Sequence, residues 1–245
     1  MPGNSKPKQE GAFTWLRDSL QHRGLAGSLR YYGRELLDML RDLTPERRKS
    51  RYGDIDFDVD HGVDTTWATV TLRTRVREWL SGGQYQPSEP LLFREIIEAL
   101  PVSVDGYTFI DLGSGKGRTL LMASSFPFHR IIGVELLEEL NAVAVENIAR
   151  YHSDEQRCFA LESHAGDARY FDFPPEPTVL YLFNPFPRHI WREVLANLHA
   201  SVRSALRPVY VIYHNPVHED LLNAQAFLHE LSRTHQYVIY RAEPV

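Results

Sequence analysis

The residues with chemistry to offer lie from about residue 85 onward, and the densest group is Phe109-Ile110-Asp111-Leu112-Gly113-Ser114-Gly115-Lys116-Gly117-Arg118. An apolar run ends at an acid and then breaks into alternating glycines. Glycine lets a backbone turn tightly and lets a ligand approach the main chain, which suits a strand-to-helix turn that holds a polar ligand. Asp111 at the strand tip sets the charge of that ligand: a carboxylate there repels a pyrophosphate and attracts an ammonium. Glu135 ends the next apolar run, in Gly133-Val134-Glu135-Leu136, where an acid can accept hydrogen bonds from both ribose hydroxyls. Asp167, in Gly166-Asp167-Ala168, is placed to accept one from an adenine amino group. Acids at three successive strand ends make a site for a nucleoside joined to an amino acid.

S-adenosylmethionine is such a molecule, carrying an ammonium and a sulfonium. The rival is a dinucleotide, and with it an NAD-type oxidoreductase. That reading needs G-x-G-x-x-G, and Arg118 stands where its third glycine would fall. Glu135 alone serves either ligand. A binding protein that holds S-adenosylmethionine without transferring its methyl group is a further alternative.

A second cluster, Leu182-Phe183-Asn184-Pro185-Phe186-Pro187, leaves a strongly apolar strand. A side-chain amide at such a point can hold an acceptor group, or the segment can be a turn stiffened by two prolines. His214, in Tyr213-His214-Asn215-Pro216, titrates near neutrality when unperturbed and is a candidate general base, or a polar residue at a rim. Tyr85-Gln86-Pro87-Ser88 precedes a helix that Ser88 is expected to cap, with Pro90 in its first turn.

Positioning these residues requires alternating strands and helices. Strands are expected over 107–112, 130–135, 158–162, 178–183, 209–213 and 237–241. Helices are expected over 88–100, 117–126, 137–151, 188–206 and 218–231. Such alternation implies crossover connections and a mainly parallel sheet covered by helices on both faces. Ligands then sit beyond the C-terminal strand ends. Only one strand follows the helix over 218–231 in this reading, so the sheet should be shortened at that edge.

Asp-Leu-Gly-Ser-Gly-Lys-Gly-Arg, Gly-Val-Glu-Leu and Gly-Asp-Ala, in that order, resemble the first three motifs of class I S-adenosylmethionine-dependent methyltransferases. More narrowly, the chain resembles a bacterial family of predicted methyltransferases without an assigned substrate. That likeness rests on Tyr52-Gly53-Asp54, Val63-Asp64-Thr65-Thr66, Tyr85-Gln86-Pro87-Ser88-Glu89-Pro90 and Asn184-Pro185-Phe186. The resemblance implies a Rossmann-like α/β class I methyltransferase domain. It implies that Tyr85, Ser88, Asp111, Gly113, Ser114, Gly115, Gly117, Glu135, Leu136, Asp167, Ala168 and Asn184 bind S-adenosyl-L-methionine. Asn184-Pro185-Phe186 is similar to the Asn/Asp-Pro-Pro-aromatic signature of enzymes that methylate amino nitrogens, with one proline fewer. It implies a nitrogen acceptor held by Asn184, Pro185 and Phe186, and His214, as the candidate general base at the next strand end, completes the candidate catalytic set.

Residues 1–87 are expected to form a mostly helical extension or lid, and residues 88–245 the catalytic domain. Leucines and arginines occupy separate faces of a helical pattern over 13–43, a surface for packing, substrate capture or a homodimer. Residues 1–51 carry eleven Lys/Arg against six Asp/Glu, although the chain as a whole has a net charge of −5. The basic arm therefore precedes an acidic body, and a protein or small-molecule acceptor is expected ahead of RNA.

The acid–apolar alternation over 52–64 reads as an edge strand. It does not complete a calcium loop, because Val59 and Thr65 stand where glycine and glutamate are needed. His218-Glu219 does not continue to a zincin motif, because Leu222 replaces the second histidine. No metal site is expected. One cysteine excludes an intrachain disulfide, and no apolar run suits a membrane span. A cytoplasmic protein is expected.

Overall fold

The computed structural model describes residues 55–66, 70, 74 and 87–244. Their elements run α1 (Ile55–His61), α2 (Pro90–Glu98), β1 (Thr108–Leu112), α3 (Arg118–Ala123), β2 (Arg130–Glu135), α4 (Glu138–Arg150), β3 (Leu161–Ala165), β4 (Thr178–Phe183), α5 (Arg188–Ser204), β5 (Val209–His214), α6 (Glu219–Asn223), β6 (Leu228–Arg233) and β7 (Tyr237–Ala242). The helical pattern expected over 13–43 lies outside the described residues, as does Tyr85.

The strands form one seven-stranded sheet in the order β3-β2-β1-β4-β5-β7-β6. The β1–β2, β1–β4, β2–β3 and β4–β5 pairs are parallel. Only β7 is reversed, running antiparallel to β5 and β6. All five residues of β1 are buried, as expected of a central parallel strand covered on both faces. Its alternate residues feed two cores. Ile110 and Leu112 join Leu180, Leu182 and Trp191 on one side, while Phe109 joins Phe93, Ile96, Leu120, Leu121 and Tyr181 on the other. Strand order reverses between β1 and β4, which opens a crevice at their C-terminal ends. This strand order is that of the Rossmann-like class I methyltransferase fold.

Several expectations are corrected. The segment expected as an edge strand over 52–64 contains helix α1. Phe57 and Asp58 are both buried on it, and His61 Nδ1 bonds Phe57 O one turn back at 2.9 Å, so helical contacts override the two-residue alternation. The helix expected over 218–231 stops at Asn223, and Leu228–Arg233 is strand β6. The sheet is therefore not shortened: all seven strands follow Ser88. The third strand begins at Leu161 rather than residue 158, because the Arg157 and Cys158 N–H groups bond Ser124 O at 2.7 and 2.9 Å in a loop. Ser88 does not cap α2. Glu89 holds the N-cap position without a side-chain bond, and Ser88 Oγ lies 3.1 Å from Tyr181 Oη instead.

Candidate cofactor and acceptor site

The glycine turn leaves β1 with positive φ at Gly113, Gly115 and Gly117 (91°, 54° and 82°), a region that side chains disfavour. Gly113 is also a point of close approach. A Cβ there would lie 2.6 Å from Pro185 Cβ, so the turn after β1 touches the turn after β4. The Gly113 and Ser114 N–H groups bond Val134 O at 2.8 and 3.1 Å. Ser114 is tucked over β2, where a Cβ on Gly133 would meet its Oγ at 2.7 Å.

Asp111 is buried on the face of β1 that meets α3, and it accepts a hydrogen bond from the Thr119 hydroxyl. Among the described residues no cation lies within ion-pair distance of it. Burial raises its pKa to about 7, with the Thr119 bond opposing and the charge of Glu135 adding. A buried carboxylate of this kind is suited to a ligand that brings its own positive charge.

Glu135 sits at the tip of β2, beside β1, and is buried. Its Oε2 accepts from Gly115 N at 2.9 Å and its Oε1 from Leu137 N at 2.8 Å. It therefore braces the glycine turn, and each oxygen retains a second acceptor position. Burial raises its pKa, against the pull of these backbone bonds. Leu136, next in sequence, is exposed. Asp167 begins the 3₁₀ turn Ala168–Tyr170 after β3. Its carboxylate accepts from Arg169 N at 3.0 Å and pairs with the Arg169 guanidinium at 2.6 Å. Ala168 is buried behind it.

Asn184 leaves β4 with φ 42°. Its Oδ1 accepts from Tyr213 Oη at 3.0 Å, and that hydroxyl accepts from His218 N at 3.0 Å. The donor sequence is self-consistent, since the backbone N–H can only donate and the tyrosine proton must then go to the carboxamide oxygen. Phe186 is half-buried and packs edge-on against Trp191, with centroids 5.4 Å apart.

His214 is buried beside this turn. Phe183 stacks on its ring at 3.9 Å, and Nδ1 lies 2.7 Å from Tyr181 Oη. The contacts link Ser88, Tyr181 and His214 in a row under the strand ends. Burial pushes the His214 pKa down to about 4, so the imidazole is neutral, and a weak base, at physiological pH. The Tyr181 phenol is pushed up by the same cause.

Asp111, Gly113, Gly115, Glu135, Asn184 and Pro185 are thus brought together at the β1–β4 crevice. Asp167 lies beyond β2, at the end of edge strand β3. Several residues of the region went unrecognised in the sequence. Tyr181, Tyr213 and Arg169 hold site residues, and Lys116 and Asn147 fasten the glycine turn to Asp64, yet most of their partners lie far away in sequence. Arg169 alone was recoverable, as a cation two residues from Asp167.

No protein-family model and no curated protein matches the chain. Among solved structures, an RNA methyltransferase from Salinibacter ruber in complex with S-adenosyl-L-homocysteine is 20% identical, with 64% of this chain and 94% of that one aligned at a TM-score of 0.46. A TehB-like SAM-dependent methyltransferase from Corynebacterium glutamicum is 15% identical over 71% of this chain and 96% of that one, with a TM-score of 0.45. TrmN from Thermus thermophilus is 17% identical, and 64% of this chain covers 49% of it at a TM-score of 0.45. These likenesses are distant and speak of fold alone.

Proposed function

We propose that the protein is an S-adenosyl-L-methionine-dependent methyltransferase whose cofactor lies across the C-terminal ends of β1, β2 and β3. One observation carries the reading: a buried carboxylate without a cation partner among the described residues, Asp111, at the mouth of a positive-φ glycine turn. It fits a ligand with an ammonium and disfavours a pyrophosphate. Asp111 would hold the amino group and the glycine turn the amino-acid backbone. Glu135 would accept from the ribose hydroxyls with its remaining lone pairs. Leu136 would cover the adenine, and Asp167 would reach its amino group at the cost of loosening Arg169. Tyr85 and Ser88 would close the methionine end.

The cofactor supplies an electrophilic methyl on a sulfonium, and transfer is an in-line displacement. The chain's task is therefore to position the acceptor and exclude water. The close approach of Gly113 to Pro185, which sets the turn after β4 against the turn after β1, supports reading the former as the acceptor turn. Asn184 would accept a hydrogen bond from an acceptor N–H through the free lone pair of Oδ1, its orientation fixed by Tyr213. Pro185 fixes the turn, and the exposed part of Phe186 would flank the substrate. His214, neutral in the ligand-free protein, would serve as a hydrogen-bond partner at the crevice floor. The reading favours a nitrogen on a protein side chain, ahead of a small metabolite and of RNA. Among the described residues no helix is long and apolar enough to cross a membrane. The lone cysteine, Cys158, is buried and free, which fits a reducing cytoplasm.

Incubating the protein with methyl-labelled cofactor and separated protein, metabolite and RNA fractions tests this reading. Label in the protein fraction is expected, carried by a side-chain nitrogen. Label confined to metabolites would refute the protein acceptor. No label anywhere, with cofactor bound, would leave the chain a binding protein.

A further inference from the structure

The cofactor reading gives no task to the one charged side chain inside the glycine turn. Lys116 stands between Gly115 and Gly117 and is only 2% exposed. Its ammonium bonds Asp64 Oδ1 at 2.8 Å and Thr66 O at 2.8 Å. Asn147 of α4 fastens the same junction. It accepts from Asp64 N at 2.9 Å, and its Nδ2 donates to Asp64 O at 2.8 Å and Lys116 O at 2.9 Å. Asp58 organises the far side, accepting from Thr65 N at 2.7 Å, Thr66 N at 3.0 Å and the Thr65 hydroxyl. Arg118, the residue after the turn, lies 4.7 Å over the Phe57 ring. Segment 55–66 is therefore latched to the turn from behind, through both main chain and side chains.

A buried ammonium is an expensive way to fill space. An apolar side chain of similar length would pack there without desolvating a charge, and the Asp64 carboxylate that faces the ammonium is itself 40% exposed, so the arrangement the pair specifies accounts for the lysine better than net stability does. Here the pair joins the turn that shapes the cofactor cradle to a segment distant in sequence. We propose that Lys116 is a positioning residue: through Asp64 and Thr66 it holds segment 55–66 against the glycine turn and the turn in its ligand-binding form, so that cofactor affinity depends on a pair that does not touch the cofactor. The inference rests on the S-adenosylmethionine reading above. Linkage makes the dependence reciprocal, so the bound ligand must in turn tighten the latch.

The test uses the full chain and S-adenosylhomocysteine as probe. Asp64→Asn, Lys116→Met and the double variant are titrated calorimetrically, and backbone hydrogen exchange over 55–66 is followed with and without the probe. Each single variant is expected to raise Kd at least tenfold. The double variant should bind no more weakly than the weaker single, because the two residues act as one unit. In the wild type the probe should slow exchange at Thr65 and Thr66, and in Asp64→Asn it should not. A merely structural pair would lower the ligand-free melting temperature and leave Kd within twofold of wild type, which overturns the proposal. So does a double variant whose Kd is the product of the two single effects. A wild type that does not bind the probe at all defeats the cofactor reading itself, a different and separately visible failure.

Discussion

Acidification should weaken cofactor binding, and Asp111 sets how much. In the ligand-free protein burial raises its pKa to about 7, whereas the bound ammonium requires the carboxylate ionised. Apparent affinity then follows the ionised fraction. At pH 5 that fraction is about 1%, so Kd for S-adenosylhomocysteine should be roughly a hundredfold above its plateau at pH 8 and higher. Binding near pH 5.5 should release about one proton, and near pH 8.5 almost none. Titration calorimetry in buffers of different ionisation heat reads both quantities. Glu135, whose pKa is also raised by burial, acts in the same direction, so Asp111→Asn isolates the contribution: it should bind weakly at every pH with a much flatter profile. The same shift has a sign for stability. A carboxyl raised from 3.8 to about 7 gives stability that is complete below the unfolded pKa and lost as pH rises through the folded one. The ligand-free wild type should therefore lose stability relative to Asp111→Asn between about pH 4 and pH 7. A Kd independent of pH from 5 to 8, or no proton release at pH 5.5, would refute the reasoning.

Other outcomes are as specific. Gly113→Ala combines a left-handed backbone with a Cβ 2.6 Å from Pro185, whereas Gly106→Ala has positive φ and nothing within 4 Å. Urea denaturation should show a loss of about 1–2 kcal/mol for Gly106→Ala and about 2–5 kcal/mol for Gly113→Ala, with equal losses counting against the close approach. Tyr213→Phe removes the bond to Asn184 and should lower turnover about tenfold or more, with Kd for S-adenosylhomocysteine unchanged. An unaltered turnover would remove Tyr213 and Asn184 from the acceptor site. In proton NMR the His214 ring should show no titration between pH 5 and 8, because burial holds it near 4; a midpoint near 6.5 would show the ring to be solvated.

The central strands were legible because their chemistry is local. Arg130–Glu135 and Thr178–Phe183 are apolar over almost their whole length, and their observed bounds match the expected ones. Burial on both faces demands such runs. The edges were not legible for the opposite reason. Leu161–Ala165 and Leu228–Arg233 have few buried residues, so nothing in their pattern fixes a register, and the leucines before and within β6 also fit a helix face. The alternation around Asp58 had two periods to choose from, and bonds from Thr65 and Thr66 favoured the helical one. At the site, the glycines and strand-tip acids announced themselves through spacing. The partners that govern their chemistry did not: Tyr213 reaches back to Asn184 and Asn147 to Asp64 across folds of the chain that no short motif records.

Direct titration of the wild-type protein with S-adenosylhomocysteine and, separately, with NAD tests the central claim. One site for S-adenosylhomocysteine per chain is expected, abolished by Asp111→Ala and by Glu135→Ala, with no saturable binding of NAD. Saturable binding of NAD without any response to S-adenosylhomocysteine would contradict it.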